Sequence, residues 1–139
     1  MNVQLLSPEQ VADNWPLLKS FLLPAFEHGV GESTPMDYLK RALNYQAQVW
    51  VVMNDSGEVV STALTQFLDY STHRTLHIVV LGGSRLEEWI EHYSVLEEFA
   101  KKNNCKAVEQ WGRPGWSKVL PKLIPGFEVV YHVMRKEIT

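Results

Sequence analysis

Apolar positions in the first third of the chain recur every three or four residues and are punctuated by helix-start signals. Ser7-Pro8-Glu9-Gln10 puts a hydroxyl at an N-cap, a proline at the first helical position and a glutamine three residues after the cap, the pattern of a capping box. The helix it opens falters at Trp15-Pro16. A second helical stretch over 16–28 then carries Leu17, Phe21 and Pro24-Ala25 on one side until Gly29-Val30-Gly31 breaks it. Thr34-Pro35-Met36-Asp37 repeats the start signal, with Asp37 in the first turn where a carboxylate suits the helix dipole. Leu39, Ala42 and Leu43 supply that helix's apolar stripe.

From Ala47 the period becomes extended. Val49-Trp50-Val51-Val52-Met53 is short and β-branched and runs into the turn signal Asn54-Asp55-Ser56-Gly57, which predicts a hairpin with a return strand from Glu58 to Phe67. After Asp69-Tyr70-Ser71-Thr72 a third strand runs from about Arg74 to Leu81 and ends at Gly82-Gly83. Ser84-Arg85-Leu86-Glu87 is another capping box, opening a long helix on which Leu86, Trp89, Tyr93, Leu96 and Ala100 form one stripe. Asn103-Asn104 closes it. A short strand from Lys106 to Trp111, a Gly112-Arg113-Pro114-Gly115-Trp116 loop, a short helix around Trp116 to Leu123 and a final strand from Phe127 to about Lys136 complete the order. The fold class is α+β in an α/β/α layering. Its sheet is mixed and mostly antiparallel, with one strand pair joined by a helical crossover and therefore parallel.

Composition narrows the function classes. A chain of 139 residues, 45% hydrophobic and 21% charged, fits one folded domain over 1–139 and is unlike the apolar-poor composition of disordered segments. With 13 Lys+Arg against 16 Asp+Glu, whole-protein electrostatics do not favour nucleic acid. Apolar runs such as Ile78-Val79-Val80-Leu81 are too short to span a membrane, so no membrane association is expected. The single Cys105 excludes an internal disulfide, and the five His residues include no pair at a metal-ligand spacing, so no metal is expected. Trp15, Trp50, Trp89 and Trp111 are expected to pack into the core rather than form a stacking platform.

The element order, over nearly the whole chain, resembles the GNAT N-acetyltransferase superfamily. More narrowly, Gln48-Val49-Trp50, the Gly82-Gly83 strand end, Trp89, Cys105, Gly112-Arg113-Pro114-Gly115-Trp116 and Lys136-Glu137 are similar to small GNAT-like proteins encoded by bacteriophages and prophages. The resemblance implies an acyl-CoA-dependent N-acyltransferase that uses acetyl-CoA or another acyl-CoA on an unknown amine or protein acceptor. The alternative it implies is a catalytically inactive GNAT-fold protein, acting in virion assembly or as an interaction module with a phage or host protein partner. A cytoplasmic location, in the host cell if phage-encoded, or a place in the virion goes with these readings. A homodimer through an exposed strand edge or the Trp116 region is also open.

In that family the cofactor lies where two parallel strands splay, with its pyrophosphate on a glycine-rich turn at the next helix N-terminus. The matching positions are Leu81, Gly82, Gly83, Ser84 and Arg85, because free N–H groups and a helix dipole bind phosphate. The usual loop, Gln/Arg-x-x-Gly-x-Gly/Ala, is absent, and Ser84 with Glu87 can instead cap the helix themselves. For the general base the candidates are Glu109, on the second splayed strand, and His77, whose ordinary pKa near 6.5 suits proton transfer. The late-helix tyrosine common in the family has no counterpart between Gly112 and Leu123, leaving Tyr131 or Tyr93 as acids. Arg113 and Trp116 pair a planar donor fork with a flat apolar surface, suited to a substrate or partner, or else simply fasten the loop.

Overall fold

The computed structural model describes residues 2–27, 32–83, 86–111 and 114–138. Ten elements follow in the order β1 (Asn2–Leu5), α1 (Pro8–Asp13), α2 (Trp15–Glu27), α3 (Pro35–Leu43), β2 (Gln48–Met53), β3 (Val59–Asp69), β4 (Arg74–Gly83), α4 (Leu86–Lys102), β5 (Cys105–Gln110) and α5 (Pro114–Leu123). The strands form one sheet in the order β1-β2-β3-β4-β5. The first four are antiparallel to their neighbours, and β4 and β5, joined through α4, are parallel.

The N-terminal caps form as their residues dictate. Ser7 Oγ accepts from the Gln10 N–H while Gln10 Oε1 accepts from the Ser7 N–H, and Thr34 and Asp37 make the same reciprocal pair. Their helices α1–α3 cover one face of the sheet around Val11, Leu18, Leu22, Tyr38, Val49 and Leu64. The other face carries α4, with Trp89, Leu96 and Ala100 against Trp50, Val52, Ala63, Leu76 and Ile78. Alternation along β2 and β3 assigns the two sets: Val49 and Val51 face α1–α3, Trp50 and Val52 face α4.

Several expectations are corrected. On α2 the buried residues are Leu18 and Leu22, and Leu17 stands 47% exposed, because the helix backbone at Phe21 and Leu22 lies down on Gly82 and turns those two leucines inward. On α3 Tyr38 and Ala42 are buried and Leu43 is exposed. β4 does not end before the glycines but runs through both, to Gly83. Strand β1 was not anticipated: four residues are too few to display a period. Trp111 lies outside the core, 58% exposed, since β5 ends one residue before it. Among the described residues the final strand does not form: 127–138 make no ladder with any strand of the sheet. Strand propensity without a neighbour does not make a strand. The Ser84–Glu87 cap falls on 84 and 85, outside the described residues.

One polar chain fastens α4 to the sheet. Trp89 Nε1–H donates to Ser61 Oγ, whose own hydroxyl donates to the Gly82 carbonyl at 2.6 Å. Gly82 is equally constrained from the opposite face, where an added Cβ would lie 2.3 Å from the Phe21 carbonyl oxygen. Gly82→Ala is therefore expected to cost roughly 1–3 kcal/mol, read as a lower denaturant midpoint at unchanged m value. An unchanged midpoint would mean that α2 does not bear on β4 this closely.

Candidate active site

Two irregularities of β4 build the site. The register with β3 slips between Leu64 and Thr65, which pair with Val80 and Ile78, so β4 carries one extra residue at Val79. Such a bulge leaves a residue unpaired, bends the strand and increases its twist. Pairing with β5 stops at the neighbouring position, Ile78↔Gln110, while β4 continues to Gly83. Among the described residues, the side of β4 that faces β5 thus lacks a ladder partner from Val79 to Gly83. The end of β5 at Gln110 and the run of β4 beyond it leave a notch at this edge of the sheet, the wedge.

His77 and Glu109 are register partners one step before the wedge opens. His77 is 5% exposed and its ring centroid lies 4.4 Å from that of Trp111. Arg41 Nη1 donates to Gln66 Oε1 at 2.7 Å, which fixes the amide so that Gln66 Nε2 donates to His77 Nδ1 at 3.2 Å. Arginine can only donate, so the acceptor end of Gln66 must face it and the ring nitrogen must accept. In the neutral ring the proton then sits on Nε2, a buried donor without a partner. Burial drives the His77 pKa down from 6.5 to about 4, opposed by the Glu109 charge.

Glu109 is half-buried at the rim, and its Oε2 accepts from the Tyr70 hydroxyl at 3.0 Å and from Trp111 Nε1 at 3.3 Å. Tyr70 belongs to the β3–β4 turn. Burial and its hydrogen bond to Glu109 push its phenol up to about 12, so it stays protonated. Tyr131, in the chain's last segment, adds to the same upward shift. Tyr93 lies elsewhere, on α4 with its ring 5.6 Å from Phe127, and burial raises its pKa.

The structure thus brings His77 and Glu109 together and sets Leu81, Gly82 and Gly83 on the free stretch of β4. Both glycines have packing reasons of their own: Gly82 against α2, and Gly83, at φ +129°, with an added Cβ 2.7 Å from Ser61 Cα. Trp116 is half-buried on α5. Ser84, Arg85 and Arg113 lie outside the described residues. Sequence reasoning missed Tyr70, Gln66, Arg41 and the bulge. Gln66 left a trace, as an amide inside an otherwise apolar and β-branched strand. Tyr70 left none, since nothing local tells a turn residue which later strand it will meet.

On the α4 side the wedge is closed. Ile78, Leu81, Trp89, Tyr93, Leu120 and Phe127 leave a cavity of about 20 Å³, room for one water and no long acyl chain. Among the described residues, the N–H and C=O groups of β4 that face away from β3 over 79–83 lack ladder partners and can bond an extended amide-containing arm.

No protein-family model and no curated protein matches the sequence. Solved structures do match the fold. An aminoglycoside acetyltransferase from an uncultured soil metagenomic sample, in complex with sisomicin, superposes with a TM-score of 0.73 at 11% identity, over 99% of this chain and 96% of that one. A probable acetyltransferase gives 0.71 at 11% identity, over 100% and 97%. Glucosamine-6-phosphate N-acetyltransferase from Arabidopsis thaliana gives 0.64 at 14% identity, over 100% of both chains. The chain has the α+β fold of these acetyltransferases.

Protonation of the His77 ring gives the site a pH signature. The folded-state pKa is about 4 and the ordinary value of the ring is 6.5, so between these values the unfolded chain binds a proton that the folded chain refuses. Stability is complete above pH 6.5 and falls toward pH 4 by about 3 kcal/mol from this group. His77→Gln is expected to flatten that part of the stability profile, measured by urea unfolding at stepped pH. An unchanged slope would show the ring is not held neutral.

Proposed function

We propose that this protein is an acyl-coenzyme A dependent N-acyltransferase acting on a primary amine. One observation carries the reading: the bulge at Val79 and the end of the β4–β5 ladder at Ile78↔Gln110 coincide, opening a strand wedge directly beside Glu109 and His77. The fold shared with acetyltransferases supports it. When bound, the cofactor supplies a thioester activated toward amines.

The chain's residues divide the remaining work. Glu109, steered by Tyr70 and Trp111, takes the proton from the attacking amine. His77 cannot share that task at neutral pH, because burial holds its pKa at about 4; its Nε2–H is instead a fixed donor for a carbonyl oxygen. Backbone N–H groups at the bulge add to the same stabilisation of developing negative charge. Tyr70, still protonated at neutral pH, is the available acid beside the carboxylate. In this reading Tyr131 and Tyr93 are not the acid: Tyr131 is exposed on the chain's last segment, and Tyr93 packs among apolar side chains.

A second reading is a GNAT-fold interaction protein without catalysis, in the assembly or host-directed roles that the phage-encoded relatives of the resemblance imply. The packing reasons for Gly82 and Gly83 favour it, since these glycines need no phosphate to explain them.

Calorimetric titration with acetyl-CoA and with free CoA separates the two. The enzyme reading expects micromolar binding, about -8 kcal/mol, with slowed amide exchange over 79–83. With a responsive amine in hand, Glu109→Gln should lower kcat by roughly 10²–10⁴ and leave cofactor affinity unchanged. No heat and no thermal stabilisation at millimolar cofactor overturns the enzyme reading.

A further inference from the structure

A groove of about 450 Å³ lies between the β1–α1 junction and the loop from α3 to β2. That volume falls within the roughly 300–1,000 Å³ of small-molecule sites. Leu6, Val11, Ala47, Val49 and Phe99 wall it, and among the described residues no charged side chain lines it. The polar side chains that do line it present donors. Trp50 Nε1–H donates to Thr65 Oγ1 at 2.9 Å, and the Thr65 hydroxyl gives its own proton to Gln48 Oε1 at 2.8 Å. An indole can only donate, so this order fixes the Gln48 amide with its oxygen occupied. None of the described residues accepts from Gln48 Nε2. Ser7 and Gln10 also line the groove, and their capping box likewise uses Ser7 Oγ and Gln10 Oε1 as acceptors, leaving the hydroxyl proton and the amide Nε2 as donors.

Tyr45, also on the lining, breaks a local rule. Helix α3 ends in a Schellman motif, with the Gln46 N–H donating to the Arg41 carbonyl at 2.7 Å and the Tyr45 N–H to the Ala42 carbonyl at 3.2 Å. The residue after the cap in that motif takes a left-handed backbone and is ordinarily glycine; here it is Tyr45, at φ +57°. Its side chain stays 82% exposed, so no burial in the core offsets the strain. Strain without a structural return is characteristic of functional positions.

We propose that this groove binds a small uncharged molecule with a flat apolar body and a carbonyl oxygen. Gln48 Nε2 donates to the oxygen, and Tyr45 covers the body. A charged ligand would stand against apolar walls with no counter-charge, and a ligand offering only donors would meet donors. The groove shares no residue with the wedge, and β3 separates β2 from β4, so its occupant does not depend on acyl transfer.

The test is an amide-detected NMR titration of the full chain with acetophenone and, as a two-ring probe, coumarin. Saturable shifts are expected at the Gln48 side-chain amide and at the backbone of Leu6, Ala47 and Val49, with the amides over 79–83 unmoved. Ethylbenzene keeps the shape of acetophenone without its oxygen and should bind about tenfold more weakly, the contribution of one hydrogen bond; benzoate should not bind. Gln48→Glu keeps an acceptor for Thr65 and removes the donors, and should weaken acetophenone by at least about tenfold. Tyr45→Gly suits the left-handed position, so the thermal midpoint should hold or rise while both probes bind more weakly. Should Gln48→Glu fail to fold, Tyr45→Gly decides. The proposal is overturned by no saturable shift with either probe, by shifts centred away from the groove, or by ethylbenzene or benzoate bound as tightly as acetophenone. Binding untouched by Tyr45→Gly overturns it as well.

Discussion

One extra residue in β4 governs the geometry of the site. Between Ile78 and Val80 the strand must fit an additional peptide opposite the single step from Leu64 to Thr65, and it does so by bending. The ladder to the parallel neighbour stops at the adjoining step, Ile78↔Gln110, where β5 itself ends. The far end of β4 then needs other support. It receives it from both faces: the α2 backbone presses on Gly82, and Ser61, itself held by Trp89, bonds the Gly82 carbonyl. The wedge is open on its edge because it is clamped above and below.

That clamping also sets the chemistry apart on two neighbouring residues. His77 and Glu109 face each other across the last parallel pairs, yet their surroundings differ. The histidine lies under Trp111, its Nδ1 occupied by an amide that Arg41 holds in place. Burial keeps the ring uncharged, and a neutral ring with a fixed tautomer can only offer a proton in a hydrogen bond. The carboxylate stands at the rim, where its Oε2 accepts from the Tyr70 hydroxyl and the Trp111 indole. Two titratable groups thus stand in opposite surroundings, and the division of roles proposed for them rests on that difference. Arg41 contributes twice, orienting Gln66 and covering the Tyr38 ring at 5.2 Å, so the core that α3 builds and the tautomer of His77 rest on one side chain.

How much of this the amino-acid order discloses depends on the range of the interaction. Caps are decided within four residues: the Ser7–Gln10 box and the Thr34 cap were legible, whereas Asp37 was legible as a first-turn charge and not as the reciprocal partner it proves to be. The hairpin at Asn54–Gly57 and the crossover through α4 were legible because turn residues and a change of period announce them. Alternation assigned faces to His77 and Glu109 within their own strands, but their pairing is a matter of register between strands, which the sequence pattern does not carry. The bulge was not legible: Ile78-Val79-Val80-Leu81 is uniformly apolar, and such a run hides a one-residue slip that an alternating strand would reveal. The inward turn of α2 was misread for a related reason, since its leucines occur as adjacent pairs and only the approach to Gly82 selects Leu18 and Leu22. Tyr70 meets Glu109 across 39 positions of sequence, and no local pattern carries that information.

The two edges of the sheet complete the physical argument. At one edge β1 is four residues long and contributes Asn2 and Gln4 among its side chains, a short polar strand that offers little template for further pairing. At the other edge β5 is longer, has no Pro, and among the described residues has no ladder partner on its outer side. The wedge lies on that second side, with Glu109 on the edge strand itself. Whatever settles on the free edge of β5 therefore also bears on the rim of the candidate site, because the same six residues, Cys105–Gln110, serve as edge on one side and carry Glu109 on the other.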